Sequence, residues 1–161
     1  MRFLFYTFFF ILYLPAQEHN NLSVETIDGE DILLAELIQQ GPVLVNFWAL
    51  WCEPCKLEMK QLESLYQKYK EKNFSILAIN QDNQKSILKV SSYISSQEFS
   101  FHVATDPDGE IAQRFNVQNI PFSILFDNNG NIVYKTIGYK PGDELPLEKA
   151  IEKLLMVENA P

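Results

Sequence analysis

Apart from Cys52 and Cys55 the 161-residue chain has no cysteine, and apart from His19 and His102 it has no histidine. A structural zinc site takes about four Cys, His or carboxylate ligands, and with no second paired motif this set falls short, so no metal is expected. No further intrachain disulfide is available either. Basic residues are few: 13 Lys and Arg stand against 21 Asp and Glu, for a formal charge of −8. No stretch gathers them into a stripe, which argues against a nucleic-acid partner held through its phosphates; the acidity serves solubility. Internal repeats and low-complexity segments are lacking. No apolar run reaches the ~20 residues of a comfortable membrane span.

The length fits one domain with a real core, and 47% hydrophobic with 21% charged residues is ordinary for a globular protein. The N-terminus stands apart. Met1-Arg2 precedes an aromatic-rich apolar stretch from Phe3 to Leu14, then Pro15-Ala16-Gln17. One positive charge, a short apolar stretch and a small residue make a secretory signal in form. Ala16 suits the position just before a cut, whereas Leu14, two residues earlier, is larger than its own position usually takes, so a cleaved signal and a retained anchor both stay open. The expected partition is a signal peptide or N-terminal anchor over 1–16, a linker over 17–21, one domain over 22–157 and a C-terminal tail over 158–161. Export, with the periplasm as destination and the N-terminal segment as an optional tether, takes the cysteine pair out of the reducing cytosol.

Leu22 to Ile27 carries spaced apolar residues before an Asp28-Gly29 turn. Ile32 to Gln40 reads as a short strand running into a short helix that Gly41-Pro42 ends. Val43 to Ala49 is a continuous apolar run, the mark of a strand buried on both faces. A long helix follows over about Cys52 to Lys72, with Leu57, Leu62, Leu65 and Tyr69 as its apolar positions. Phe74 to Asn80 is a second buried strand. Lys85 to Ser95 reads as a helix with Ile87, Val90 and Ile94 on one face and Leu88 beside it. Phe101 to Thr105 is a third strand, Asp106-Pro107-Asp108-Gly109 a turn, and Glu110 to Phe115 a short helix. Phe122 to Phe126 and Ile132 to Ile137 form a hairpin across Asp127-Asn128-Asn129-Gly130-Asn131, and Leu147 to Met156 is an amphipathic helix. The order predicts an α/β sandwich: early strands parallel through right-handed crossovers, a hairpin adding antiparallel strands at one side, helices on both faces.

The two cysteines lie in Trp51-Cys52-Glu53-Pro54-Cys55-Lys56, between the buried strand and the long helix. A C-x-x-C pair there is a redox site in form, because free N–H groups and the positive dipole end stabilise a thiolate at the first cysteine. The second lies one turn on, placed to close or resolve a disulfide. A purely structural bridge is the plainer alternative, but so short a loop constrains the unfolded chain little.

This order of elements, together with Phe47-Trp48-Ala49, the Trp51–Lys56 run, Asp106-Pro107-Asp108-Gly109, Ile120-Pro121 and Phe126-Asp127 through Gly130, resembles the thioredoxin fold. The added helix and strand from about Lys85 to Thr105 resemble the insert of the TlpA-like group, which includes ResA-like and CcmG-type exported thiol-disulfide oxidoreductases. The likeness spans roughly Leu22 to Met156. It implies a thioredoxin-like three-layer sandwich, with a mixed central sheet, helices on both faces and an inserted helix-strand element.

The resemblance also implies roles. Cys52 is the exposed nucleophile, Cys55 the buried resolving thiol, and Pro121 the cis-proline that turns the Ile120 backbone toward an extended substrate. Glu58, one turn past Cys55 on the same face, matches a buried glutamate thought to serve proton transfer. Thioredoxin has a buried aspartate where this chain has Asn46, which cannot move that proton and leaves Glu58 the better base. Trp51, Glu53, Pro54, Ile120 and Pro121 are the expected substrate-binding residues, Trp51 as an exposed apolar contact. Trp48 is expected in the core, His102 as surface or core filler, and His19 as a linker residue. Lys60 replaces a kink proline and Leu50 a small hydroxyl residue usual in the group.

The function so implied is reduction of protein disulfides through the Cys52/Cys55 dithiol, without metal or organic cofactor. Expected partners are protein disulfides, apocytochrome c among them, and a membrane thiol carrier that supplies electrons; a monomer is expected. Glu53, beside Cys52, is expected to disfavour the thiolate and so favour a reductant, with Lys56 beyond Cys55 giving no offset. Two rivals remain at this point: a thiol peroxidase of the peroxiredoxin type, whose attacking cysteine normally sits in Thr-x-x-Cys, and a non-catalytic binding module on the same fold.

Overall fold

In the computed structural model, residues 21–157 are described. The expected signal or anchor, nearly all of the linker with His19, and the 158–161 tail lie outside them. Among the described residues no helix is long and apolar enough to cross a membrane.

Among the described residues fourteen elements follow one another, two of them single 3₁₀ turns. A small hairpin, β1 (Ser23–Glu25) with β2 (Asp31–Leu33), leads into α1 (Leu34–Gln40). Then come β3 (Val43–Trp48), α2 (Glu53–Tyr69), β4 (Ser75–Asn80), α3 (Ile87–Gln97), β5 (His102–Thr105) and α4 (Glu110–Arg114). The hairpin β6 (Phe122–Phe126) and β7 (Ile132–Ile137) precedes α5 (Glu144–Val157). The central sheet has the order β5-β4-β3-β6-β7. β3, β4 and β5 run parallel, and β6 joins β3 antiparallel. This is the mixed sheet with an added hairpin that the sequence predicts.

Strand alternation sorts the core into two layers. Leu44 and Trp48 of β3 face α2, α3 and α5, in one cluster with Cys52, Cys55, Met59 and Leu147. Val43, Val45 and Phe47 face the other way, onto α1, α4 and the small hairpin. β3 is buried along its whole length, as a strand covered on both faces must be.

Three readings change, and the end of α1 gains its reason. Leu57 is half exposed, and Glu58 and Met59 hold core positions instead. At about 100° per residue, position 57 points some 200° away from Cys55, while 58 and 59 return to its face. Leu88 likewise points outward, with Val90 and Ile94 as the buried pair of α3. Helix α5 begins at Glu144, three residues before its first buried apolar residue. Gly41 ends α1 in extended rather than left-handed backbone; a Cβ there would collide with the Asn73 carbonyl, so close approach demands the glycine. Helix α2 runs unbroken through Lys60.

Candidate active site

The site begins where β3 ends. Cys52 is the N-cap of α2, in extended backbone, and its Sγ accepts the Cys55 N–H at 3.3 Å. Glu53 and Pro54 fill the first turn, where proline's missing N–H costs no helical bond. Cys52 and Cys55 are joined in a disulfide. Cys52 keeps 5% of its surface and Cys55 none. Less of Cys52 is accessible than an exposed nucleophile suggests, but it is the one residue of the pair with any accessible surface.

Around this bond the structure gathers most of the residues singled out from sequence. The Ile120–Pro121 bond is cis. Ile120 packs against the cluster that contains both cysteines. A groove of about 270 Å³ runs between Trp51 and Ile120, lined also by Gln81, Val117, Gln118 and Asn119. Trp51 is 69% exposed at its edge, while Trp48, the last residue of β3, is fully buried against Tyr93. No charged side chain lines the groove. A larger recess of about 600 Å³ near Thr26, Asp106 and Ile111 includes none of these residues.

Glu53 and Pro54 are exposed beside the disulfide. Lys56 reaches back to Glu53, with Nζ 2.7 Å from Oε1. The sequence expectation that Lys56 gives the Glu53 charge no offset is therefore corrected: one helical turn brings i and i+3 together, and the pair presents little net charge to Cys52.

Glu58 is 3% exposed, on the α2 face toward the sheet. Its Oε2 accepts from Asn46 Nδ2 at 2.9 Å and its Oε1 from Ser123 Oγ at 3.1 Å. Asn46 and Ser123 are directly paired between β3 and β6, and Asn46 Nδ2 also donates to Ser123 Oγ. Burial raises the Glu58 carboxyl to about 7, against the lowering effect of those two donors and with a further push up from the Asp143 charge. A carboxyl poised there can take or give a proton near neutral pH.

Sequence reading missed the group that holds the loop before Trp51. Asp82, nearly buried, accepts the Leu50 N–H at 2.7 Å and the Asn80 amide at 2.9 Å. Asn80 returns a bond to the Asp82 N–H. The one signal was the polar run Asn80-Gln81-Asp82 closing a buried strand. His102 stands apart, partly exposed, with Nδ1 3.8 Å from Glu30. Among the described residues no cluster of three or more His, Cys, Asp or Glu side chains could hold a metal.

Comparison with known proteins agrees with this geometry. Residues 16–154 match the Redoxin family. The thiol-disulfide oxidoreductase ResA of Bacillus cereus is 35% identical over 130 residues, 81% of this chain and 73% of that protein. The sporulation thiol-disulfide oxidoreductase A of Bacillus subtilis is 28% identical over 123 residues, 76% of this chain and 73% of that one. Among solved structures, a Chlorobium tepidum protein assigned as the thiol:disulfide interchange protein DsbE superposes with a TM-score of 0.76 at 28% identity. That match covers 83% of this chain and 92% of the other.

Proposed function

The chain belongs to the Redoxin family and is a thiol-disulfide oxidoreductase of the thioredoxin fold, acting on protein thiols; from that premise we propose that it is an exported reductase of protein disulfides. The observation that carries the reading is the Cys52–Cys55 disulfide at the start of α2, beside Ile120–cis-Pro121 and an open, uncharged groove.

In the reduced protein Cys52, at the helix start, is the thiolate, stabilised by free N–H groups and the dipole. It attacks a client disulfide and forms a mixed disulfide, and one client sulfur leaves as thiolate. Glu58 takes the proton of the Cys55 thiol. Cys55 then attacks Cys52, the protein disulfide closes, and the second client sulfur leaves. Two electrons have passed from protein to client, and a membrane thiol carrier restores the dithiol. Trp51, Glu53, Pro54, Ile120 and Pro121 contact the client, with the Ile120 backbone pairing with an extended segment. The apolar, singly charged N-terminal stretch supports export to the periplasm, cleaved or tethered. Apocytochrome c is a client class in keeping with the ResA-like and CcmG-type resemblance, and the protein acts as a monomer.

A Cys55→Ser variant leaves the mixed disulfide unresolved. Expressed in full-length form, it accumulates client adducts that a reductant releases and that map to Cys52. A reduced variant that forms no adducts, or forms them through another residue, overturns the reading.

A further inference from the structure

Glu58 does not line the docking groove. A crevice of about 10 Å³ reaches it between α2, β7 and α5, lined by Gln61, Thr136, Tyr139, Asp143, Glu144 and Leu147 among others. That volume is about the least that admits one water. The crevice shares no residue with the groove between Trp51 and Ile120. Its outer wall is the turn leading into α5. Lys140 N–H donates to Asp143 Oδ2 at 3.0 Å and the Asp143 N–H returns a bond to Lys140, while Tyr139 donates its hydroxyl to Glu144 Oε2 at 2.7 Å. Gly142 N–H also donates to Glu144 Oε2. Asp143 is left as the charge that acts on Glu58.

We propose that this crevice is the route by which Glu58 exchanges its proton with solvent while a client covers the Cys52 face, with Asp143 as the positioning residue at its mouth. The inference rests on the reading of Glu58 as the base for Cys55. The step needs such a route. Near neutral pH part of the protein carries a protonated Glu58 when the mixed disulfide forms; that carboxyl must lose its proton with the client still in place before it can take the Cys55 proton, and must lose it again before the next turnover. A route past the groove would stay shut for the life of the mixed disulfide; one through the crevice would not.

The groups that act on Glu58 come from every side. Asn46 and Ser123 donate from β3 and β6, and Cys55 lies one turn back on α2. Tyr134 and Tyr139, on β7 and just past it, both hold their protons more tightly, chiefly through burial and with the Glu58 charge as a lesser push. Asp143 and Glu144 face it from the turn before and the start of α5. No lysine or arginine lines the crevice, so Asp143 favours the protonated carboxyl and draws an incoming proton inward.

The test is single-turnover oxidation of the reduced full-length protein by a disulfide-bonded peptide from pH 5 to 9, with the Glu58 carboxyl followed by carbon-13 NMR. In Asp143→Asn the Glu58 midpoint and the acid limb of the rate profile move down together, by about half a pH unit for one charge removed at the rim of a polar crevice. Thr136→Leu, which fills the crevice, slows disulfide closure several-fold and raises its solvent deuterium isotope effect. It leaves the first attack by Cys52 unchanged when measured in the Cys55→Ser background. An unmoved Glu58 midpoint in Asp143→Asn, or wild-type closure in Thr136→Leu, overturns the proposal. Should Thr136→Leu fail to fold, Asp143→Asn, a surface change that keeps an acceptor for Lys140, still decides. A Glu58→Gln variant with an unaltered pH profile removes the base itself and this route with it. Loss of the profile in Glu58→Gln with no effect in either crevice variant leaves the base standing and rejects the route alone.

Discussion

The Asp82 carboxylate accepts the backbone N–H of Leu50 across 32 residues of sequence, at 2.7 Å. It ties the end of β4 to the loop that presents Trp51 and Cys52. A charged acceptor of this kind contributes about 2 kcal/mol, and its loss leaves the part-buried Leu50 and the buried Asn80 donors unpaired. Asp82→Ala is expected to lose about that much stability in urea unfolding, with slower thiol exchange as the loop loosens. Asp82→Asn, which keeps an acceptor, is expected to lose less.

Glu58 sets a pH dependence whose sign is fixed. Its carboxyl titrates about 7 in the folded protein and at the ordinary 4.5 when unfolded. The raised value means that the folded state holds the proton longer, so the associated stability is complete below 4.5 and is lost as pH rises toward and through 7. At about 1.4 kcal/mol per pH unit the loss approaches ~3 kcal/mol. Glu58→Gln cannot ionise. Its stability relative to wild type is expected to rise between pH 4.5 and 7 and then level off, as read from denaturant unfolding at stepped pH. A difference that stays flat over that range would contradict a buried, titrating Glu58.

The Glu53–Lys56 pair makes opposite predictions for its two members. Glu53→Gln exposes Cys52 to the lysine alone, stabilises the thiolate and raises the reduction potential. Lys56→Met exposes it to the glutamate alone and lowers the potential. Both shifts are expected on the order of ten millivolts, since the pair is solvated. The double change should fall close to wild type. Equilibration against glutathione gives the midpoints, and a wild-type value above about −180 mV, in the range of isomerases and oxidants, would reverse the assignment as a reductase.

Gly41→Ala is expected to destabilise by about 1–3 kcal/mol, because the new methyl meets a backbone carbonyl at Asn73 that cannot move aside cheaply. Thermal unfolding measures it. A neutral result would mean that the α1–β3 connection shifts freely.

The element order was legible because the buried strands are nearly unbroken apolar runs and the long helix opens with a proline in its first turn. The cysteine pair announced itself by spacing. Glu58 did not: a carboxylate in a helix reads as solvated, and resemblance alone singled it out. What buries it is a register, Asn46 opposite Ser123, and no local pattern states which strand residues will stand side by side. Asp82 escaped for the same reason, since its partner lies in another loop. Leu57 was misplaced because apolar character was weighed above helical phase, while Lys56 was judged by its sequence position rather than by where its side chain folds back.

The chain's two tryptophans fall on opposite sides of the solvent boundary within three residues of each other. Trp48 has no contact with water, and Trp51 has most of its ring in it, next to the Cys52–Cys55 bond. Their emission therefore separates: a blue component shielded from added quenchers, and a red one open to them. A disulfide quenches an adjacent indole and a dithiol does so far less, so the red component brightens on reduction. It shifts again when a client covers the ring. The blue component comes from a ring in the same core cluster as both cysteines, so its intensity also responds to reduction, but it moves to the red only when the sheet comes apart. Redox state, docking and unfolding can thus be followed in one unlabelled sample by wavelength and quencher access.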